Sequence, residues 1–229
     1  MPVLAAVVLG VEVEIARRGQ NLDDVELSYA DTGTTTAVWI GDSTAYGIGV
    51  TDAADGVAAR VAGPRDERVV MLAVSGDTMA DLTRDQLPEV AALAPDRVYV
   101  SIGANDVTHL TSKDSFGAGY RALLRALPAD SEVVVLGVPD MGAPPRLLQP
   151  LRAIAGLRGR QLDAVVRDAV ADAKADRPGA TTYVDIAGPT GPPFRRDPAR
   201  YFADDRYHPS ADGYRLWADA VLAAVEPPR

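Results

Sequence analysis

The chain has 229 residues, 47% hydrophobic and 24% charged, which suits one globular α/β domain with a sizeable core. Its net charge of −9 argues against nucleic acid as a partner, because phosphate binding needs a basic field. The absence of cysteine excludes disulfides, thiolate catalysis and cysteine-based zinc sites, and the two histidines, His109 and His208, leave little room for a histidine-rich metal site.

Residues 3–11 are apolar, but Glu12 and Glu14 cut the run. It falls short of the roughly 20 residues a membrane span needs. It also lacks the basic start and small-residue cleavage site of a secretory signal. The expectation is a helix or leader over residues 1–30 and a single domain over residues 31–229. That points to a cytoplasmic protein without stable membrane insertion; export or anchoring through a trimmed N-terminus is the alternative.

Five short β-branched runs follow: Ala37–Ile40, Val69–Val74, Arg97–Ile102, Glu132–Val138 and Thr181–Ile186. Each is nearly continuous and bounded by Gly, Pro or Asp, as strands buried on both faces of a parallel sheet are. Helical patterns separate them: Ala53–Val61, Met79–Leu93 with Pro88 expected to break or restart it, Phe116–Leu127, Leu151–Ala175 and Ala211–Val225. The Pro- and Gly-rich stretch Gly188–Pro198 reads as a long surface loop. The alternation predicts a three-layer α/β/α sandwich around a five-stranded, mostly parallel, flavodoxin-like sheet.

Ligands of such sheets bind outside the carboxyl ends of the strands. Three strands end in Gly41-Asp42-Ser43, Ser75-Gly76-Asp77 and Gly103-Ala104-Asn105-Asp106, and the last loop carries Asp204 to Pro209. Acyl transfer from an ester needs an activated nucleophile, an oriented base and donors for the oxyanion. Ser43 can be the nucleophile and His208 its base. Asp205, three residues earlier, can reach the imidazole Nδ1, with Asp204 as a weaker competitor. The N–H groups of Ser43 and Gly76 and the side-chain amide of Asn105 can hold the oxyanion. Asp42 and Asp106 read as loop braces or caps.

This ordered set resembles the SGNH (GDSL) hydrolase family of serine esterases and acyltransferases. Gly41-Asp42-Ser43 is similar to its first block, Gly76 to the second, Gly103-Ala104-Asn105-Asp106 to the third and Asp205-Arg206-Tyr207-His208 to the fifth. The resemblance covers about residues 37–225. Thr44 departs from it, standing where many members have leucine. The resemblance implies the flavodoxin-like fold, an acyl-serine intermediate, Ser43, Asp205 and His208 as catalytic residues, and no metal or other cofactor.

Hydrolysis of an acyl ester is the leading expectation. The alternative is transfer of a short- or medium-chain acyl group, with acyl-CoA as donor, to an anionic sugar hydroxyl; some family members in GC-rich bacteria resemble sugar acyltransferases of this kind. A silent binding domain on the same scaffold is a remote third. Thr44, His109, Arg146 and Tyr207 are candidate substrate-binding residues. Arg146, Arg152, Arg158 and Arg160, with Arg195, Arg196, Arg200 and Arg206, read either as a solvated face or as an anion site. Val138–Pro150 could form an apolar wall for an acyl chain. Acyl length, acceptor and oligomeric state stay open.

Overall fold

The computed structural model describes residues 26–29, 31–177 and 181–225. Its sheet has five strands: β1 (Thr35–Gly41), β2 (Glu67–Met71), β3 (Arg97–Ser101), β4 (Glu132–Leu136) and β5 (Thr181–Val184). The order is β2-β1-β3-β4-β5 and every pairing is parallel. The five apolar runs are these strands, shifted by a few residues at their ends. Past β2 the ladder continues through Leu72 N–H to Trp39 and Val74 N–H to Gly41.

Strand side chains alternate between two cores, as period-two geometry requires. Val38, Ile40, Val98, Val100, Val133 and Val135 face one layer, packed on Met79, Leu82, Phe116, Leu123 and Leu162. That layer holds α4 (Lys113–Ala126) and α5 (Leu151–Asp176). Ala37, Trp39, Tyr99, Val134, Leu136 and Val184 face the other layer, packed on α2 (Val57–Arg65) and α8 (Ala211–Val225). Trp39 and Tyr99 stack 4.3 Å apart on that side. Two short helices, α1 (Ser43–Tyr46) and α3 (Ala104–Thr108), start at the ends of β1 and β3.

Pro88 restarts the helical path of residues 79–93, one of the two outcomes expected of it. The path widens to a π turn at Leu82–Gln86, then continues as Leu87–Val90. The Leu87 N–H reaches back to Leu82 and the widened turn absorbs the proline. The predicted surface loop Gly188–Pro198 is instead mostly helical: α6 (Ala187–Arg196), then α7 (Pro198–Tyr201). Asp185 accepts from Gly188 N–H at its start, and Phe194 docks on Tyr201 and Phe202. Burial of Thr190, Gly191 and Phe194 outweighs the helix-breaking tendency of Pro192 and Pro193.

Residues 26–29 already pack on the domain. Tyr29 donates its hydroxyl proton to Tyr46 O at 2.7 Å, and Leu27 joins the α2/α8 core. The rest of the expected leader, apart from these residues, lies outside the described residues. Among the described residues no helix is long and apolar enough to cross a membrane.

Candidate active site

β1 ends at Gly41, whose φ is +145°. A Cβ there would stand 1.9 Å from Ser101 O, so the turn is open only to glycine. The buried Gln86 side chain clamps this turn. Its Oε1 accepts from Gly41 N and its Nε2 donates to Gly41 O, both at 2.8 Å. Asp42 then caps α1: its Oδ1 accepts from Thr44 N (2.9 Å) and from Thr44 Oγ1 (2.7 Å). Ser43 is thereby the first helical residue, where a backbone N–H has no intrahelical acceptor. Burial pushes the Asp42 carboxyl up to about 6, against the opposing pull of the Thr44 hydrogen bonds.

The Asp205–His208 turn is pinned by a bridge between Phe202 and Pro209 and by Ala203 N–H to His208 O at 2.9 Å. His208 Nε2 lies 2.9 Å from Ser43 Oγ, and His208 Nδ1 lies 2.5 Å from Asp205 Oδ2. The other Asp205 oxygen accepts from the N–H groups of Tyr207 (2.9 Å) and His208 (3.0 Å). The Asp205 side chain is wholly buried. Burial by itself would raise its carboxyl, but the hydrogen bond and charge of His208 and the two N–H groups hold it below the usual carboxylate range. A carboxylate at Nδ1 selects the tautomer whose Nε2 accepts a proton from Ser43. Asp204 is exposed and does not make this bond.

Gly76 and Asn105 face the same serine across an open cleft of about 630 Å³. Gly76 has φ +90°, but a Cβ there would meet nothing within 4 Å. The left-handed backbone at this position favours glycine. No hydrogen bond among the described residues takes the N–H of Gly76 or of Ser43. Asn105 Nδ2 donates one proton to Asp77 O at 3.0 Å, which aims the amide and leaves its second N–H. Asp106 is a brace: its Oδ2 accepts from Met79 N at 2.9 Å.

The candidate substrate residues separate. His109, Arg146 and Tyr207 line the cleft, with Leu110, Leu151 and Ile154. His109 Nδ1 is bonded to Asn105 O at 2.8 Å, far in role from the serine. Thr44 lies elsewhere, bonded to Asp42 and 3.0 Å from Ser101 Oγ, and borders a second, small recess. Four of the candidate arginines are engaged within the protein. Arg152 donates to the carbonyls of Leu147 and Pro145, and Arg158 to those of Val107 and Thr111. Arg195 pairs with Asp140 and Arg200 with Asp212. Among the described residues no cluster of three or more His, Asp or Glu could hold a metal.

Sequence reasoning missed Gln86 and Asp163. The latter, buried on α5, accepts from Val138 N (3.0 Å) and Tyr183 Oη (2.8 Å) and fixes the loop after β4. Both look like polar positions of ordinary helices, and no local pattern marks them.

Fold and site together define a class: an α/β/α domain of the serine-esterase kind, with its serine at the end of the first strand. The chain belongs to the GDSL-like lipase/acylhydrolase family, whose profile matches residues 39–216. It is 37% identical over 132 residues to a GDSL-like esterase of Mycobacterium tuberculosis. That match covers 57% of this chain but only 40% of the relative. Solved structures share the fold. A lipase/acylhydrolase from Enterococcus faecalis superposes with a TM-score of 0.65 at 20% identity, over 86% of this chain and 100% of the other. An acetylxylan esterase from Geobacillus stearothermophilus does so with a TM-score of 0.60 at 20% identity, over 86% and 97%.

Proposed function

We propose that this chain is a serine ester hydrolase acting on small-molecule acyl esters. The observation that carries the reading is the unbroken path Asp205–His208–Ser43, with Gly76 and Asn105 lining the cleft beside the serine. His208 Nε2 takes the hydroxyl proton as Ser43 Oγ bonds to the ester carbonyl carbon. The carbonyl electrons move onto oxygen, which the N–H groups of Ser43, Gly76 and Asn105 hold. As the C–O bond to the alcohol breaks, His208 returns its proton to the leaving oxygen. Water then gives a proton to His208 and attacks the acyl-serine; the acid leaves and Ser43 recovers its proton. Asp205 keeps the imidazole oriented and offsets its charge while it is protonated.

The family's name and the printed name of the Mycobacterium tuberculosis relative support hydrolysis. The transferase alternative drew on arginines for phosphate. Arg152, Arg158, Arg195 and Arg200 are engaged with carbonyls or carboxylates, which weakens that support.

The test is turnover of p-nitrophenyl acetate. Ser43→Ala and His208→Ala are expected to lose about 10⁴-fold or more in kcat, and Asp205→Asn about 10³–10⁴-fold. A Ser43→Ala protein that keeps wild-type turnover would remove the serine from the mechanism.

A further inference from the structure

Two spaces meet at the Ser43–His208 pair. One is the cleft bordered by Gly76 and Asn105. The other is a narrow recess of about 40 Å³, walled by Ala104, Met141, Ala143, Phe194 and Trp217. Three of its polar members are engaged elsewhere. Thr44 is bonded to Asp42, Thr190 donates to Ile186 O at 2.7 Å, and Asp140 pairs with Arg195. Apart from Ser43, Tyr207 and His208, which it shares with the cleft, the rest of its wall is apolar.

We propose that these spaces divide the ester between them: the recess takes the acyl group and the cleft takes the alcohol. The inference rests on the hydrolase reading and names the substrate class of that site. Only the cleft carries Gly76 and Asn105, so the carbonyl oxygen points there, while Ser43 and His208 border both spaces. The alcohol has to leave before water can reach the acyl-serine beside His208. An alcohol lodged in the recess would have to pass the covalently held acyl group to escape. The acyl group, fixed to Ser43, can fill a narrow recess until it is released as a small acid. A water-sized group needs about 10–15 Å³ on this measure, so the recess accepts an acyl group of roughly two to four carbons. The wider cleft sets amides and charge (Asn105, His109, Arg146) beside Leu110, Leu151 and Ile154, which suits a larger alcohol with both polar and apolar parts. The substrate class is therefore the short-chain acyl ester of a bulky, amphipathic alcohol.

The experiment measures kcat/KM for p-nitrophenyl acetate, butyrate and octanoate on the wild type, Met141→Ala, Ala143→Leu and Ile154→Ala. Ratios between substrates on one preparation are insensitive to the folded fraction, so a partly misfolded variant still reports. The wild type is expected to favour acetate and butyrate over octanoate by roughly 10–200-fold. Met141→Ala, which lengthens the recess, should raise the octanoate-to-acetate ratio about tenfold, and Ala143→Leu should lower the butyrate-to-acetate ratio by a similar factor. Ile154→Ala, on the cleft, should leave both ratios within about twofold while changing KM for acetates of larger alcohols. An acyl profile that is flat, or that rises to octanoate and responds to Ile154→Ala and not to Met141→Ala, would put the acyl chain in the cleft and overturn the division alone. No turnover of any ester, with no labelling of Ser43 by a fluorophosphonate, would overturn the hydrolase reading as well.

Discussion

Asn105 carries two N–H bonds on one amide nitrogen, and the fold uses them differently. One is spent on Asp77 O, 3.0 Å away in the loop that also holds Gly76. The other is aimed into the cleft, on the side of Ser43. A donor fixed in this way costs little reorganisation when negative charge develops on a substrate oxygen. Asn105→Ala is expected to lower kcat by about 10²–10³ with KM changed by no more than about threefold. Steady-state kinetics on p-nitrophenyl acetate reads the split; a loss confined to KM would remove Asn105 from the proposed oxyanion hole. The residue was legible in the sequence because it stands in a strand-ending Gly-x-Asn-Asp. Its bond to Asp77 was not, since the two are far apart along the chain and only the parallel sheet makes them neighbours.

At the scale of elements, the serine turn depends on a helix that carries no candidate catalytic residue. Gln86 sits on the π turn before Pro88 and bonds both backbone groups of Gly41, with a third bond from its Nε2 to Asp77 Oδ2. It therefore couples the loop after β1 to the loop after β2. Gln86→Leu would leave the Gly41 N–H buried without a partner and its C=O with only the Val74 N–H, at a cost of about 2 kcal/mol. The melting midpoint should fall by about 4–8 °C, and kcat should fall more than KM rises because the presentation of Ser43 loosens. Thermal unfolding together with kinetics checks this; a variant with unchanged midpoint and kcat would show that the clamp is dispensable. The π turn itself is tied to Pro88, which the sequence marked as a helix problem without indicating how it would be solved.

Across the whole molecule, the carboxylates under the site pull stability in opposite directions with pH. Asp42 has a folded pKa of about 6 against an ordinary 3.8, because it is buried. The folded chain thus binds this proton more tightly than the unfolded chain. The stability it contributes is fully present below about pH 4 and is lost as pH rises through about 6. The gap is worth about 3 kcal/mol. Asp106 is raised in the same direction by burial. Asp205 is lowered, so its contribution is present at neutral pH and lost only in acid, below the usual carboxylate range. Asp42→Asn keeps an oxygen to cap Thr44 and removes the ionisation. It should flatten the fall of the melting midpoint between pH 5 and pH 7 by about 3–5 °C. An identical pH slope in the variant would sink the assignment.

Read alone, the sequence determined the five strands, the layer architecture and the set Ser43, Gly76, Asn105, Asp205 and His208. These follow from local signals: β-branched runs, and short polar motifs placed directly after them. Tertiary structure decided what depends on neighbours distant in the chain. Helix α6 forms through its prolines because Phe194 has Tyr201 and Phe202 to pack against. Arg152, Arg158 and Arg195, which looked like part of an anion site, are bonded to carbonyls or a carboxylate of neighbouring segments. The unequal spaces beside Ser43 belong to no single segment. They arise where the loops after four strands, α5 and α6 converge, and only the packed fold gives that convergence a shape.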